Sequence, residues 1–231
     1  MKIKGFQGTS LLDFPGRVSS LLFFGGCNLT CPFCHNPSLV LDPDQYPDYP
    51  RQVVLDELKS RMPFIDGVVI SGGEPSIDPE CIELLQEIKD LGLAVKLDTN
   101  GLRPDKLKRA IEGGIVDYIA FDLKTAPARY GELHHSPVDL EALQRSIALL
   151  LADRVEYEFR TTCVPGFVDA ATVEMMGAAV QGARRWIFQQ FMPGHSLDDK
   201  FRGSEPYPAE TIRSFAEIGG RHVREVSIRG I

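Results

Sequence analysis

Three of the chain's five cysteines, Cys27, Cys31 and Cys34, lie within one short stretch, Gly25-Gly-Cys-Asn-Leu-Thr-Cys-Pro-Phe-Cys-His-Asn-Pro37. An odd total with three thiols clustered argues against a disulfide framework. The spacing C-x3-C-x2-C suits an iron–sulfur cluster, whose irons are held by cysteine thiolates. Three ligands for four irons would leave one iron open to a substrate. A zinc site of the three cysteines plus His35 is the alternative, although structural zinc sites usually pair well-separated knuckles. Plain core thiols fit poorly with the Gly, Asn and Pro around them. Cys81 differs, because it falls on the apolar side of a helical pattern with Leu84, Leu85 and Ile88 and reads as packing. Cys163 ends a strand near the presumed site and reads as a buried small residue.

Four further groups carry possible chemistry. In Ser71-Gly-Gly-Glu-Pro75 the glycines let backbone approach a ligand closely, and Glu74 adds a carboxylate that can accept from an ammonium. Asp98-Thr-Asn-Gly101 is first a turn signal, yet Asp98 could accept from sugar hydroxyls. Asp122-Leu-Lys124 puts opposite charges on one strand face, either as a structural ion pair or as part of a site. Arg160 offers a guanidinium suited to a carboxylate. His195 stands alone in a loop-like segment, Met-Pro-Gly-His-Ser.

These groups need a frame. Apolar runs predict strands at roughly 18–24, 67–71, 94–99, 117–122, 156–162 and 186–190, and helical spacing predicts helices at roughly 51–61, 79–91, 104–112, 139–152, 170–184 and 208–218. The helix at 79–91 is expected to start with Asp78 as cap and Pro79 in first position. Residues 42–50 read as loop, and 221–231 alternates like a final strand. Strand–helix alternation implies parallel βαβ units in a single α/β domain. Lys96 and Asp98 share one strand face, as do Tyr118, Asp122 and Lys124, and Glu156, Glu158, Arg160 and Thr162. Parallel strands covered on both sides are normally apolar throughout. Polar faces on three successive strands therefore suggest a barrel or half-barrel with a ligand-holding lumen, its site at the strands' carboxyl ends.

Composition removes other classes. The 231 residues are 43% hydrophobic and 25% charged, which excludes collagen-like, coiled-coil and disordered chains. A net charge of -7 without a basic block lacks the footprint of a nucleic-acid binder. There is no transmembrane-length apolar run and no secretory pattern after Met1, so a cytoplasmic protein is expected.

The cysteine motif, with Phe33 before its third cysteine, resembles the radical S-adenosylmethionine superfamily. Gly26-Cys27 and Cys34-His-Asn-Pro37 narrow the resemblance to the glycyl-radical-enzyme activases. Thr9-Ser-Leu-Leu-Asp-Phe-Pro-Gly16 is similar to the longer form of anaerobic ribonucleoside-triphosphate reductase activating protein. The likeness runs from about residue 5 to about residue 203. It implies one radical-SAM domain over 1–231, a partial (β/α)6 barrel with a cluster loop at 25–37 and an extension from about 204. It further implies that Cys27, Cys31 and Cys34 bind a 4Fe–4S cluster, and that the methionyl amine and carboxylate of S-adenosylmethionine chelate the fourth iron. Phe33, Gly72, Gly73 and Glu74 would then belong to the cofactor site, Glu74 and its glycines near the amino group. Asp98 and Thr99 would contact the nucleoside, Arg160 the carboxylate and His195 the adenine. Asp122 and Lys124 would respond to the methionine and to the partner.

The implied reaction is reductive cleavage of the cofactor to methionine and a 5′-deoxyadenosyl radical, which takes a hydrogen from a glycine Cα of a partner enzyme. The implied partner is class III ribonucleotide reductase, and the implied electron donor is reduced flavodoxin or ferredoxin. No second cysteine cluster follows His35, so auxiliary clusters are not expected. Competing readings are an activase of the pyruvate formate-lyase type, a radical enzyme acting on a small molecule, an iron–sulfur electron carrier and a zinc-stapled binding module.

Overall fold

The computed structural model describes all residues from Met1 to Ile231. Its strands are β1 (Ile3–Ser10), β2 (Ser19–Phe24), β3 (Gly67–Gly72), β4 (Ala94–Thr99), β5 (Tyr118–Asp122), β6 (Glu156–Cys163), β7 (Arg185–Gln190) and β8 (Glu225–Arg229). The helices are α1 (Pro37–Leu41), α2 (Arg51–Arg61), α3 (Cys81–Asp90), α4 (Pro104–Glu112), α5 (Leu140–Leu151), α6 (Ala170–Ala179), α7 (Asp199–Arg202) and α8 (Ala209–Gly219). The strands form one sheet in chain order. β1 pairs antiparallel with β2, while β2–β3, β3–β4, β6–β7 and β7–β8 are parallel. The expected α/β class with parallel strands is therefore present, with eight strands where six were expected besides the possible final one. No helix is long and apolar enough to cross a membrane.

β1 is the strand that the apolar pattern misses. Ile-Lys-Gly-Phe-Gln-Gly-Thr-Ser carries only two large apolar residues, and its Lys4 is buried. The Lys4 ammonium is held by Asp48 at 2.9 Å, Asp44 at 3.2 Å and the Tyr46 carbonyl at 3.2 Å. Pairing a buried charge in this way offsets the cost of desolvating it. The loop expected at 42–50 thus covers a strand. The first helix expected after β3 also starts later than its cap signal suggests. Asp78 Oδ1 accepts from Glu80 N at 2.9 Å and its Oδ2 from Lys2 N at 2.9 Å, so Asp78 ties the turn to β1, and α3 begins at Cys81. α6 stops at Ala179, short of the expected 184, where Val180 N turns to both Met176 O and Gly177 O and Gly182 takes a positive φ of 82°.

The chain divides into two compact units, the first comprising Met1–Asn28, Ser38–Thr99 and Asp105–Ile119, the second Leu29–Pro37, Asn100–Pro104 and Ala120–Ile231. In the first, Phe14, Leu21, Val69, Ala94 and Tyr118 form a buried cluster. Phe14 reaches it from the turn that follows β1. The Ser10 hydroxyl orders that turn by donating to Asp13 Oδ2 at 2.5 Å and accepting from the Leu12 and Asp13 amides. In the second, the rings of Trp186 and Phe188 pack at 4.6 Å, and Trp186 Nε1 donates to Thr161 Oγ1 at 2.9 Å. The final strand expected from alternation is β8. Its Arg229 reaches the fully buried Glu158 of β6 with two bonds, at 3.0 and 2.9 Å.

Candidate active site

Cys27 lies in the first unit, and Cys31 and Cys34 lie in the second. Cys34 N donates to Cys31 O at 2.9 Å, which curls the motif into a turn. Phe33 between them is buried, edge-on to Phe167 at 5.0 Å, and Asp198 N donates to Pro32 O at 2.8 Å. The cluster loop is therefore anchored at Phe33 and at Pro32 before it. Burial pushes the Cys31 thiol up to about 11, while Lys124 works in the opposite direction. Burial also raises the Cys34 thiol. No three Cys, His, Asp or Glu side chains are gathered as a metal site. The donor set nevertheless fits an iron–sulfur cluster: three soft sulfur ligands on one short loop, two of them held as thiols that lose a proton on ligation. His35 stacks on Phe191 with ring centroids 6.1 Å apart and an interplanar angle of 12°. Cys81 and Cys163 are wholly buried, and burial pushes the Cys163 thiol up to about 12.

The Gly-Gly-Glu motif meets the start of the cluster loop. Gly73 N donates to Phe24 O and Glu74 N to Gly26 O, both at 2.8 Å. A Cβ on Gly73 would stand 1.9 Å from Gly26 O, and one on Gly72, whose φ is 118°, would stand 2.3 Å from Phe24 N. The close approach that these glycines allow is thus first of all between two stretches of this chain's own backbone. Glu74 is 1% exposed. Its Oε1 accepts from Ser76 Oγ at 2.5 Å, Thr99 Oγ1 at 2.8 Å and Ser76 N at 3.1 Å. Thr99 therefore joins the second motif to the third. Asp98, next to it, takes Ser71 Oγ on Oδ2 at 3.1 Å and the Lys96 ammonium on Oδ1.

The second unit gathers Asp122, Lys124 and Arg160. Asp122 Oδ1 accepts from Arg160 Nη2 at 2.8 Å and Nε at 3.0 Å, and Lys124 Nζ lies 3.3 Å from Oδ2. Burial alone would raise the Asp122 carboxyl, but Arg160 and then Lys124 outweigh it and hold the group at about 2. Tyr130, wholly buried, accepts from Lys124 N at 3.0 Å and donates to Asp122 O at 3.4 Å, fixing the backbone on both sides of Leu123. Sequence reasoning did not select Tyr130. A tyrosine six to eight residues past Asp-x-Lys was the available signal. His195 ends a short turn, Pro193–His195, and is exposed.

Residues 21–179 match the Radical SAM superfamily. A protein of Methanocaldococcus jannaschii, whose name assigns it provisionally to the glycyl-radical enzyme activating enzymes, is 31% identical over 237 residues, 99% of this chain and 96% of its own. The pyruvate formate-lyase-activating enzyme of Clostridium pasteurianum is 32% identical over 105 residues, and the match spans 43% of each protein. Among solved structures, Streptococcus suis SuiB bound to S-adenosylmethionine aligns with a TM-score of 0.65 at 15% identity, over 91% of this chain and 52% of SuiB. That last likeness is one of fold.

Proposed function

Since the chain belongs to the radical SAM superfamily and, within it, to the glycyl-radical enzyme activating enzymes, we propose that it installs a glycyl radical on an anaerobic, class III ribonucleoside-triphosphate reductase. The activase part rests on one observation above the others, the likeness to the M. jannaschii protein over nearly the whole of both chains. The choice of reductase rests on Thr9–Gly16, which resembles the long-form reductase activases.

The family's cofactors are a 4Fe–4S cluster and S-adenosylmethionine. When bound, they supply an electron and a reductively cleaved sulfonium that together yield a hydrogen-abstracting radical. Cys27, Cys31 and Cys34 would hold the cluster. Gly72, Gly73 and Glu74 would border the methionyl amine, Phe33 would line the same site, and Arg160 would face the carboxylate. Asp98 and Thr99 would border the nucleoside, with His195 toward the adenine. The chain's own work is to bind, orient and exclude water, and no side chain needs to act as general acid or base. Asp122 and Lys124 would couple partner docking to the chemistry, because an incoming loop that disturbs either charge disturbs the other. Reduced flavodoxin or ferredoxin would supply the electron.

The test is electron paramagnetic resonance on an anaerobic mixture of cluster-loaded protein, dithionite, S-adenosylmethionine and the class III reductase of the same organism. A glycyl-radical doublet, lost when the reductase's radical glycine is replaced, is expected. Lys124→Ala should lower its yield while the cluster still forms. The partial match to pyruvate formate-lyase activation supports a second reading, in which that enzyme is the partner. A doublet with pyruvate formate-lyase and none with the reductase would select it. No doublet and no 5′-deoxyadenosine with either partner would overturn the activase reading.

A further inference from the structure

β8 ends the sheet, and no strand pairs with it beyond β7. The sheet's other edge, β1, is partly covered, because Tyr49 N from the 42–50 loop donates to Ile3 O at 2.8 Å. An edge strand left open presents a row of unpaired amides and carbonyls that can accept a further strand. Arg224 N, at the entry to β8, donates to Ala183 O at 3.0 Å on the β7 side. Backbone groups alternate in direction along a strand. Those of Val226 and Ile228 therefore also turn to β7, and those of Glu225, Ser227 and Arg229 turn outward.

The sequence of that edge, Glu-Val-Ser-Ile-Arg, is complementary to its own reverse. A two-fold axis at Ser227 would set Glu225 opposite Arg229 of a second copy, Val226 opposite Ile228 and Ser227 opposite Ser227. The side chains of Glu225 and Arg229 are 54% and 41% exposed, and each keeps a polar group open for such a contact. Both Arg185 bonds to Glu225 fall on Oε2, which leaves Oε1 without a donor. Arg229 uses Nη1 and Nη2 on Glu158, which leaves Nε. A parallel arrangement in the same register would set Glu225 on Glu225 and Arg229 on Arg229, which repel, so the charges select the antiparallel one. On the other strand face, Val226 and Ile228 are only half-buried, whereas their β7 neighbours Trp186 and Phe188 are wholly buried. They border a groove of about 510 Å³ with Arg213, Ala216 and Glu217 of α8. Arg213 and Glu217 are exposed, opposite in charge and outside every ion pair of the chain.

We propose that β8 is a self-association edge, at which two copies of this chain join by antiparallel pairing of their β8 strands centred on Ser227. Val226 and Ile228 of both copies then form one apolar strip between the two α8 helices. Five strand residues a side make a small contact, so the dimer is reversible, with a Kd on the order of 10 μM. The proposal concerns assembly alone, and it stands or falls separately from the activase reading.

The experiment is sedimentation equilibrium of the anaerobic, cluster-loaded chain from about 1 to about 200 μM, a range that brackets the expected Kd. The wild type should pass from monomer to dimer across it. Ser227→Pro removes the outward amide at the two-fold axis and keeps the bonds to β7, since proline is tolerated on the open side of an edge strand. That variant should stay monomeric while its melting temperature stays near that of the wild type. Glu225→Arg sets like charges opposite each other at both ends and should weaken association by about tenfold or more. Amide exchange over residues 225–229 should slow in the wild type as its concentration rises. If Ser227→Pro does not fold, Glu225→Arg decides. A wild type that is monomeric throughout, or a dimer that survives both substitutions, would overturn the proposal. A dimer lost in Ser227→Pro but undiminished in Glu225→Arg would overturn it too, because the charges would then not set the register. Protection of 225–229 that appears with the glycyl-radical partner and not with concentration would assign the edge to that partner and likewise overturn it.

Discussion

Replacing Arg160 with Met removes the larger of the two cationic influences on Asp122 and both of its short bonds to Oδ1. The carboxyl moves from an ordinary 3.8 to about 2 in the folded protein. At about 1.4 kcal/mol per pKa unit, that difference is worth roughly 2.5 kcal/mol of folding stability at neutral pH. Asp122 is 31% exposed and Arg160 15%, so solvent screens part of the interaction. Lys124 also remains in the variant. The Arg160–Asp122 coupling should therefore be about 1–2 kcal/mol, below the cost of breaking a fully buried pair.

A double-mutant cycle with Arg160→Met and Asp122→Asn, followed by urea unfolding of anaerobic protein, isolates that coupling from whatever else each side chain touches. Because the folded-state value lies below the unfolded one, the stabilisation is complete above about pH 5. It should fade as the pH falls toward 2, where the carboxyl protonates in the folded protein as well. A coupling below about 0.5 kcal/mol at pH 7 would put the pair in the range of ordinary surface contacts and refute the reasoning. A coupling equally large at pH 7 and pH 2.5 would show that charge is not its source.

Gly73→Ala should destabilise the protein by about 3 kcal/mol or prevent folding, since its Cβ meets backbone at Gly26 and no flexible side chain can yield there; a melting temperature within a degree or two of wild type would contradict this. Cys81→Ala should keep the iron content of reconstituted protein and cost about 1 kcal/mol of packing, whereas Cys27→Ala should lose the cluster. Equal iron loss in both would remove the division between core and ligand cysteines. Tyr130→Phe leaves the Lys124 amide without its phenolic acceptor and should cost about 1–2 kcal/mol in urea unfolding, with a change under about 0.3 kcal/mol counting against the role given to Tyr130.

The local chemistry of this protein is legible along the chain because it depends on neighbours in sequence. Cys27, Cys31 and Cys34 occupy one short loop, and Ser71-Gly-Gly-Glu, Asp98-Thr and Asp122-x-Lys124 each sit at or just beyond the end of an apolar run, so spacing and strand periodicity are enough to find them. Strand–helix alternation likewise announces the parallel sheet. Long-range pairing is what the sequence alone leaves undecided. β1 is a strand because Lys4 finds Asp44 and Asp48 forty residues away and because it has β2 to pair with, neither of which shows in its own apolar content. Glu74 looks in sequence like a free acceptor, yet Thr99, twenty-five residues on, donates to it. Tyr130, Lys96 and Arg229 have their places through partners on other segments or in the depth of a strand face. A motif depends on residue type and spacing, which the chain carries locally. Burial and hydrogen-bond satisfaction depend on which surfaces meet, and folding alone brings those together.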